Sequence, residues 1–197
     1  MLRDCSGGVV RALATCYGAG KLRLPAAAAH LKRLGLMTEL VRMREESFER
    51  FFELAVHTHA EDNVASGRWS SQDALLQART EATRLLPQGL ATKDNDLFEI
   101  QSPASSEIVG YLWAAALNRG VKKVAYIYQL YVLPEFRRQG HARRALQAYE
   151  AMARQGGFGS VALNVFGSNT VAQTLYRSLG FAVTSIGMHK DLEQDDA

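Results

Sequence analysis

The stretch Gln129-Leu130-Tyr131-Val132-Leu133-Pro134-Glu135-Phe136-Arg137-Arg138-Gln139-Gly140-His141-Ala142 decides the fold, because the spacing of apolar residues changes across it. Before it, Val124, Tyr126, Tyr128 and Leu130 alternate strictly on one face, as a strand over 121–132 requires. After it, Ala142, Ala145, Leu146, Tyr149, Met152 and Ala153 form the stripe of a helix over 141–155, which Gly156 and Gly157 end. The next apolar run, 161–166, reads as a strand again. Such a strand–helix–strand step is a right-handed crossover between parallel neighbours.

The turn inside this stretch carries chemistry. A helix N-terminus presents unpaired backbone N–H groups and about half a positive charge. A pyrophosphate can settle there if the backbone approaches closely. Gly140 and Ala142 keep side-chain bulk away, and Arg137 and Arg138 add charge. Taken alone, the same residues would equally serve as an ordinary basic turn. A second pattern lies downstream, in a helix expected over 168–179 and stopped by Gly180. Asn169, Ala172 and Tyr176 fall at i, i+3 and i+7, on one stripe, while Val171, Leu175 and Leu179 form another that can face a core.

Upstream, a short strand covers 38–43, and residues 45–60 read as a helix with Phe48, Phe51, Phe52, Leu54, Ala55 and His59 on its apolar side. A second helix starts near Ser70 or Ser71, with Ala74, Leu75, Ala78, Ala82 and Leu85 inward, and ends at Pro87 and Gly89. Strands at 97–101 and 107–117 make a hairpin-like pair, and the chain from Phe181 returns to strand. The sum is an α/β chain with a mixed sheet of six to seven strands and helices on both faces.

At these residues the sequence resembles the GCN5-related N-acetyltransferase (GNAT) superfamily. The phosphate motif Gln/Arg-x-x-Gly-x-Gly/Ala is met by Arg137, Gly140 and Ala142; the later signature is met by Asn169, Ala172, Leu175, Tyr176, Gly180 and Phe181. The likeness extends from Thr38 to about Leu192, since the element order also fits. Gly67-Arg68-Trp69, the run 85–90 and Gly110-Tyr111-Leu112-Trp113 are similar to a subgroup of uncharacterised bacterial acetyltransferases.

The resemblance implies acetyl-CoA as co-substrate and transfer of its acetyl group to a small-molecule or peptide amine. It implies a bulged strand whose backbone at Leu130, Tyr131 and Val132 meets the pantetheine arm. It also implies a phosphate turn formed by Arg137, Arg138, Gln139, Gly140, His141 and Ala142, with Asn169 beside the pantetheine and Ala172 leaving room for it. Tyr176 suits the role of general acid, because a phenol of pKa about 10 stays protonated at pH 7 and can donate to a departing thiolate.

The base is where the sequence departs from its relatives. Residues 124–130 include no carboxylate, and Gln129 can orient a water but not accept its proton. Glu61 and Asp62, at the expected end of the first helix, are the nearest acids by topology; as a solvated helix end they would have no such role. Trp113 and Tyr128, with Tyr111 and Tyr126, lie on central strands, where they can line an acceptor site or simply pack the core. His57 and His59 stand two apart on a helix and diverge, so no metal site is expected. A non-catalytic acyl-CoA-binding sensor or partner module is the alternative consistent with the missing strand carboxylate.

Composition narrows the field. The 197 residues are 47% hydrophobic and suit one globular domain over 37–197. No apolar run approaches the ~18 residues of a membrane span. Residues 1–36 carry a net +5 of the chain's +3, leaving −2 for the remainder, so a nucleic-acid partner is not expected. That basic stretch reads as an N-terminal extension upstream of a start at Met37. It holds both cysteines, Cys5 and Cys16, and a cysteine-free body accords with the cytoplasm. The P-loop-like Gly18-Ala19-Gly20-Lys21 has Thr15 and Leu22 where Gly and Ser/Thr belong. Oligomeric state, including a homodimer, is left open by the sequence.

Overall fold

The computed structural model describes residues 39–102, 105–119 and 122–189. The basic extension, both cysteines and Met37 lie outside that range. Five strands form one sheet in sequence order: β1 (Glu39–Arg42), β2 (Asn95–Gln101), β3 (Ile108–Arg119), β4 (Lys122–Val132) and β5 (Ser160–Leu163). The first four are antiparallel to their neighbours, and β5 joins β4 in parallel after the crossover helix. Four helices complete the order: α1 (Glu45–Ala65), α2 (Ala74–Leu85), α3 (His141–Gln155) and α4 (Thr170–Ser178).

Both faces of the sheet are covered. On one, Phe98, Ile100, Leu112, Ala114 and Ile127 pack against Ala145, Leu146 and Tyr149 of α3, with Leu175, Tyr176 and Leu179 of α4 at the margin. On the other, Leu97, Tyr111 and Trp113 pack against Phe51 and Ala55 of α1. Helix α2 lies on α1 through Ala74, Ala78 and Ala82, a four-residue spacing that leaves Leu75 a full 100° off the contact and 49% exposed rather than inward. Helix α1 runs five residues beyond the expected 60, so Glu61 and Asp62 lie in its last full turn and not past its end.

Two expectations about the sheet are corrected. It has five strands among the described residues, not six to seven: segment 181–189 forms no ladder, and Val183, Ile186 and Met188 stand in solvent. Apolar residues alone do not make a strand; the backbone N–H and C=O groups need a partner edge. The strict alternation in β4 also fails. Trp113 pairs with Gln129 and the next residue, Ala114, with Ile127, so Tyr128 is an extra residue, a β-bulge. The bulge turns Leu130 to the α3 side together with Ile127, while Tyr128 packs on the α1 side.

Candidate active site

The bulge divides β4. Val124 to Ile127 pair with Ser160 to Leu163 of β5, and from Tyr128 onward β4 has no β5 partner. The backbone of Leu130, Tyr131 and Val132 is thus paired with β3 on one side and has no strand partner on the other, along a gap between β4 and β5. Gly110 permits this geometry. A Cβ there would stand 2.2 Å from the carbonyl oxygen of Tyr131, far inside contact distance, so only glycine allows β3 to lie so close to the end of β4. The sequence shows Gly110 only as part of a likeness; what demands it is a backbone approach that the primary structure does not display.

Beyond β4, Pro134–Phe136 makes a single 3-10 turn, and the chain then doubles through two left-handed residues, Arg138 (φ 63°) and Gly140 (φ 81°), into α3. The N-cap of α3 is Gly140, which has no side chain to offer the helix. Its first turn stands at the positive end of a 15-residue dipole. The side chains of the turn are tied back to the scaffold. The Arg137 Nε donates to the Val132 carbonyl at 3.0 Å, with its guanidinium over the Tyr131 ring. The Gln139 side-chain amide donates to the Glu135 carbonyl, and the Arg144 guanidinium to the Gln139 carbonyl. His141 is buried beside Phe136, and its pKa is lowered by burial and then by the Arg144 charge, which keeps the ring neutral at pH 7. Arg138 lines an open depression of about 210 Å³ with Thr170, Val171 and Thr174 of α4. The left-handed glycine, the helix N-terminus and the flanking arginines together fit a pyrophosphate.

Helix α4 presents the second pattern. Asn169 is its N-cap, the side-chain oxygen accepting from the Ala172 N–H at 3.0 Å. That leaves the Asn169 amide hydrogens as its donors. Tyr176 packs against the α3-side core and the Phe181 ring, and burial raises its phenol above the ordinary value. It is accordingly fully protonated at neutral pH.

On the α1 side of the gap, Tyr128 stacks on Trp113 with centroids 4.7 Å apart. Trp113 itself is buried and its indole N–H donates to Asn95, so it backs Tyr128 rather than facing solvent. Gln129 donates from its amide to the Thr58 hydroxyl of α1 at 2.8 Å, and Thr58 in turn donates to the Leu54 carbonyl. This contact was not legible from sequence, because 71 residues separate the partners. His57 and His59 part company: His59 pairs with Glu81 of α2 at 3.0 Å and meets Trp69 edge to face. Among the described residues no group of three His, Cys, Asp or Glu could hold a metal ion.

One buried carboxylate had no sequence signal. Glu99 in β2 has no exposed surface. Burial would raise its pKa, but the Ser47 side chain, the Gln101 amide and the Arg44 backbone and guanidinium together hold it below the ordinary value. It ties β2 to the start of α1 and stays charged.

Comparison with known proteins agrees with this architecture. The acetyltransferase (GNAT) family profile matches residues 68–181. The chain is 33% identical over 153 residues to the uncharacterised N-acetyltransferase YycN of Bacillus subtilis, covering 78% of this chain and 97% of that protein. It is 33% identical over 150 residues to YdgE of the same organism, covering 76% and 95%. The crystal structure of YycN superposes with a TM-score of 0.75 over 79% of this chain and 99% of that one. The family uses acetyl-CoA as co-substrate. With the bulged, parted strand and the glycine-capped helix beside it, these matches identify the chain as a member of the GNAT family and an acetyltransferase.

Proposed function

We propose that the protein transfers the acetyl group of acetyl-CoA to a primary amine by direct attack in the gap between β4 and β5. The observation that carries this reading is the bulge at Tyr128, beyond which β4 leaves β5 and its backbone becomes free to pair with an extended ligand. The amide-bearing pantetheine arm would bond to Leu130, Tyr131 and Val132. Its pyrophosphate would take the N–H groups of Gln139, Gly140, His141 and Ala142, with charge from Arg137 and Arg138. Asn169 would donate to the arm where Ala172 leaves space.

In this reading the amine nitrogen attacks the thioester carbonyl, the C–N bond forms and the C–S bond breaks. Tyr176 gives its phenolic proton to the departing sulfur; a phenol raised above 10 is a weaker acid than a thiol of ordinary pKa about 8.5, so the transfer is uphill alone and is drawn forward as the newly acylated nitrogen returns a proton to the phenolate. Gln129, held by Thr58, keeps its amide carbonyl as an acceptor that can orient the amine or a water. Tyr128, backed by Trp113, offers an aromatic wall that favours a cationic or aromatic acceptor.

The test is free-thiol release from acetyl-CoA in the presence of pooled primary amines. Thiol release that depends on the amine is the expected result; tight acetyl-CoA binding with no amine-dependent release would contradict the reading.

A further inference from the structure

The site as described has a proton donor for the sulfur but no acceptor for the proton of an incoming ammonium. We infer that Asp62, on α1, is that acceptor: the catalytic base comes from the helix laid over the gap rather than from the strand beneath it. The inference rests on acetyl transfer to an amine as proposed above.

The placement follows from two contacts at either side of the gap, one made by α1 and one by the loop just past it. Phe51 and Ala55 face the sheet, and three residues on, Thr58 accepts the Gln129 amide of β4. Ten residues later the Arg68 guanidinium lies 5.4 Å over the ring of Phe166, in the segment that follows β5. The last turns of α1 and the loop after it thus reach from β4 to the far side of the gap. Asp62 is four residues beyond Thr58, on the same sheet-facing stripe and roughly 6 Å further along the axis. Glu61 is 100° away and points off this stripe, which separates the two acids that sequence could not.

The chemistry of the carboxyl agrees. Asp62 is exposed, yet its pKa is raised, chiefly by partial desolvation, with His59 opposing the rise and Glu61 adding to it. Other charges around the site are spoken for or lie elsewhere. Glu81 of α2 holds His59, and Arg68 sits on Phe166. The strand beneath contributes the neutral Gln129, Tyr126 and Tyr128. A carboxylate made more basic, and still open to water, can take a proton and pass it to solvent.

The proton balance closes. An ammonium gives one proton to Asp62, directly or through a water, and becomes a nucleophilic amine. After the C–N bond forms, the nitrogen's second proton restores the Tyr176 phenol that protonated the sulfur. Asp62 releases its proton to bulk water, so each turnover yields amide, thiol and one proton.

The experiment compares the full-length protein with its Asp62→Asn, Asp62→Glu and Glu61→Gln variants, following thiol release against pH. Spermidine, lysine and tyramine serve as acceptors that are charged at pH 7, and hydroxylamine as one that is not. Asp62→Asn should lower kcat with the charged amines by roughly 10²- to 10⁴-fold at pH 7. The deficit should shrink as pH rises toward the amine's own pKa and nearly vanish with hydroxylamine. Asp62→Glu should recover part of the rate, Glu61→Gln should match the wild type, and acetyl-CoA affinity should not move. Equal losses with both kinds of acceptor, or no loss at all, would overturn the role of Asp62. Absence of amine-dependent release by the wild type would instead overturn acetyl transfer itself, and the base with it.

Discussion

The two sides of the gap between β4 and β5 are built on different principles. On the side proposed for phosphate, the groups on offer belong to the backbone: the N-terminus of α3, a left-handed Gly140 and the stretch of β4 past its β5 partner. On the α1 side they are side chains brought together from distant segments, Thr58 with Gln129 and Arg68 with Phe166. Backbone sites need particular residues at fixed spacing in one stretch, and so leave a readable motif. Side-chain sites assembled by tertiary packing can be made in many ways and leave little trace. The difference tells where each kind of substitution should act.

The largest expected effect falls on chemistry alone. Tyr176→Phe should lower kcat roughly 10²- to 10⁴-fold while leaving acetyl-CoA affinity nearly unchanged. An unchanged rate would mean that water protonates the sulfur. Gly140→Val acts on the opposite term. A β-branched residue at φ 81° is strained, and its Cβ would crowd the Arg144 guanidinium at 2.8 Å. The dissociation constant of acetyl-CoA should rise tenfold or more, about 1.4 kcal/mol or above, measured by calorimetry. Unaltered affinity would show that the turn is not the phosphate site.

Gly110→Ala tests whether the two sides share a foundation. The new methyl would press on the Tyr131 carbonyl of β4, and stability should drop by about 1–3 kcal/mol in denaturant titration, with weaker acetyl-CoA binding as well. Loss of stability without loss of affinity would uncouple the strand pair from the site.

The smallest effect on activity is expected at Glu99, the carboxylate outside the gap. Its pKa is lowered by folding, so its stabilisation is present above the unfolded-state value near 4.5 and is lost as pH falls through the lower folded value. Glu99→Gln should therefore cost about 1–3 kcal/mol at pH 7, and the difference from wild type should close below pH 4.5. Turnover by the folded fraction should hold. A changed pH–rate profile would mean that Glu99 communicates with the site after all.

This division also explains what could be read in advance. The crossover from β4 through α3 to β5 followed from a change of period at Pro134, and the turn at 137–142 from Gly140 with its arginines. The bulge at Tyr128 was hidden, because the alternation of Val124, Tyr126, Tyr128 and Leu130 continues through it in the sequence, and only pairing with β3 reveals the extra residue. The extra turn of α1, residues 61–65, continues the α2-facing stripe of Val56 and Ala60 only through Val64; beside it Asn63 is buried, donating to the His59 carbonyl while its own backbone carbonyl accepts from the Arg68 and Trp69 N–H groups. The strands expected after Phe181 failed for the reason that alternation is a local property and pairing is not.

The central claim is that the parted end of β4 and the start of α3 form one acetyl-CoA site. Amide hydrogen exchange on the full chain, with and without acetyl-CoA, tests it most directly. The account expects new protection at Leu130 to Val132 and at Gly140 to Arg143, and little change in β2. Protection confined to other segments, with those two unaffected, would contradict it.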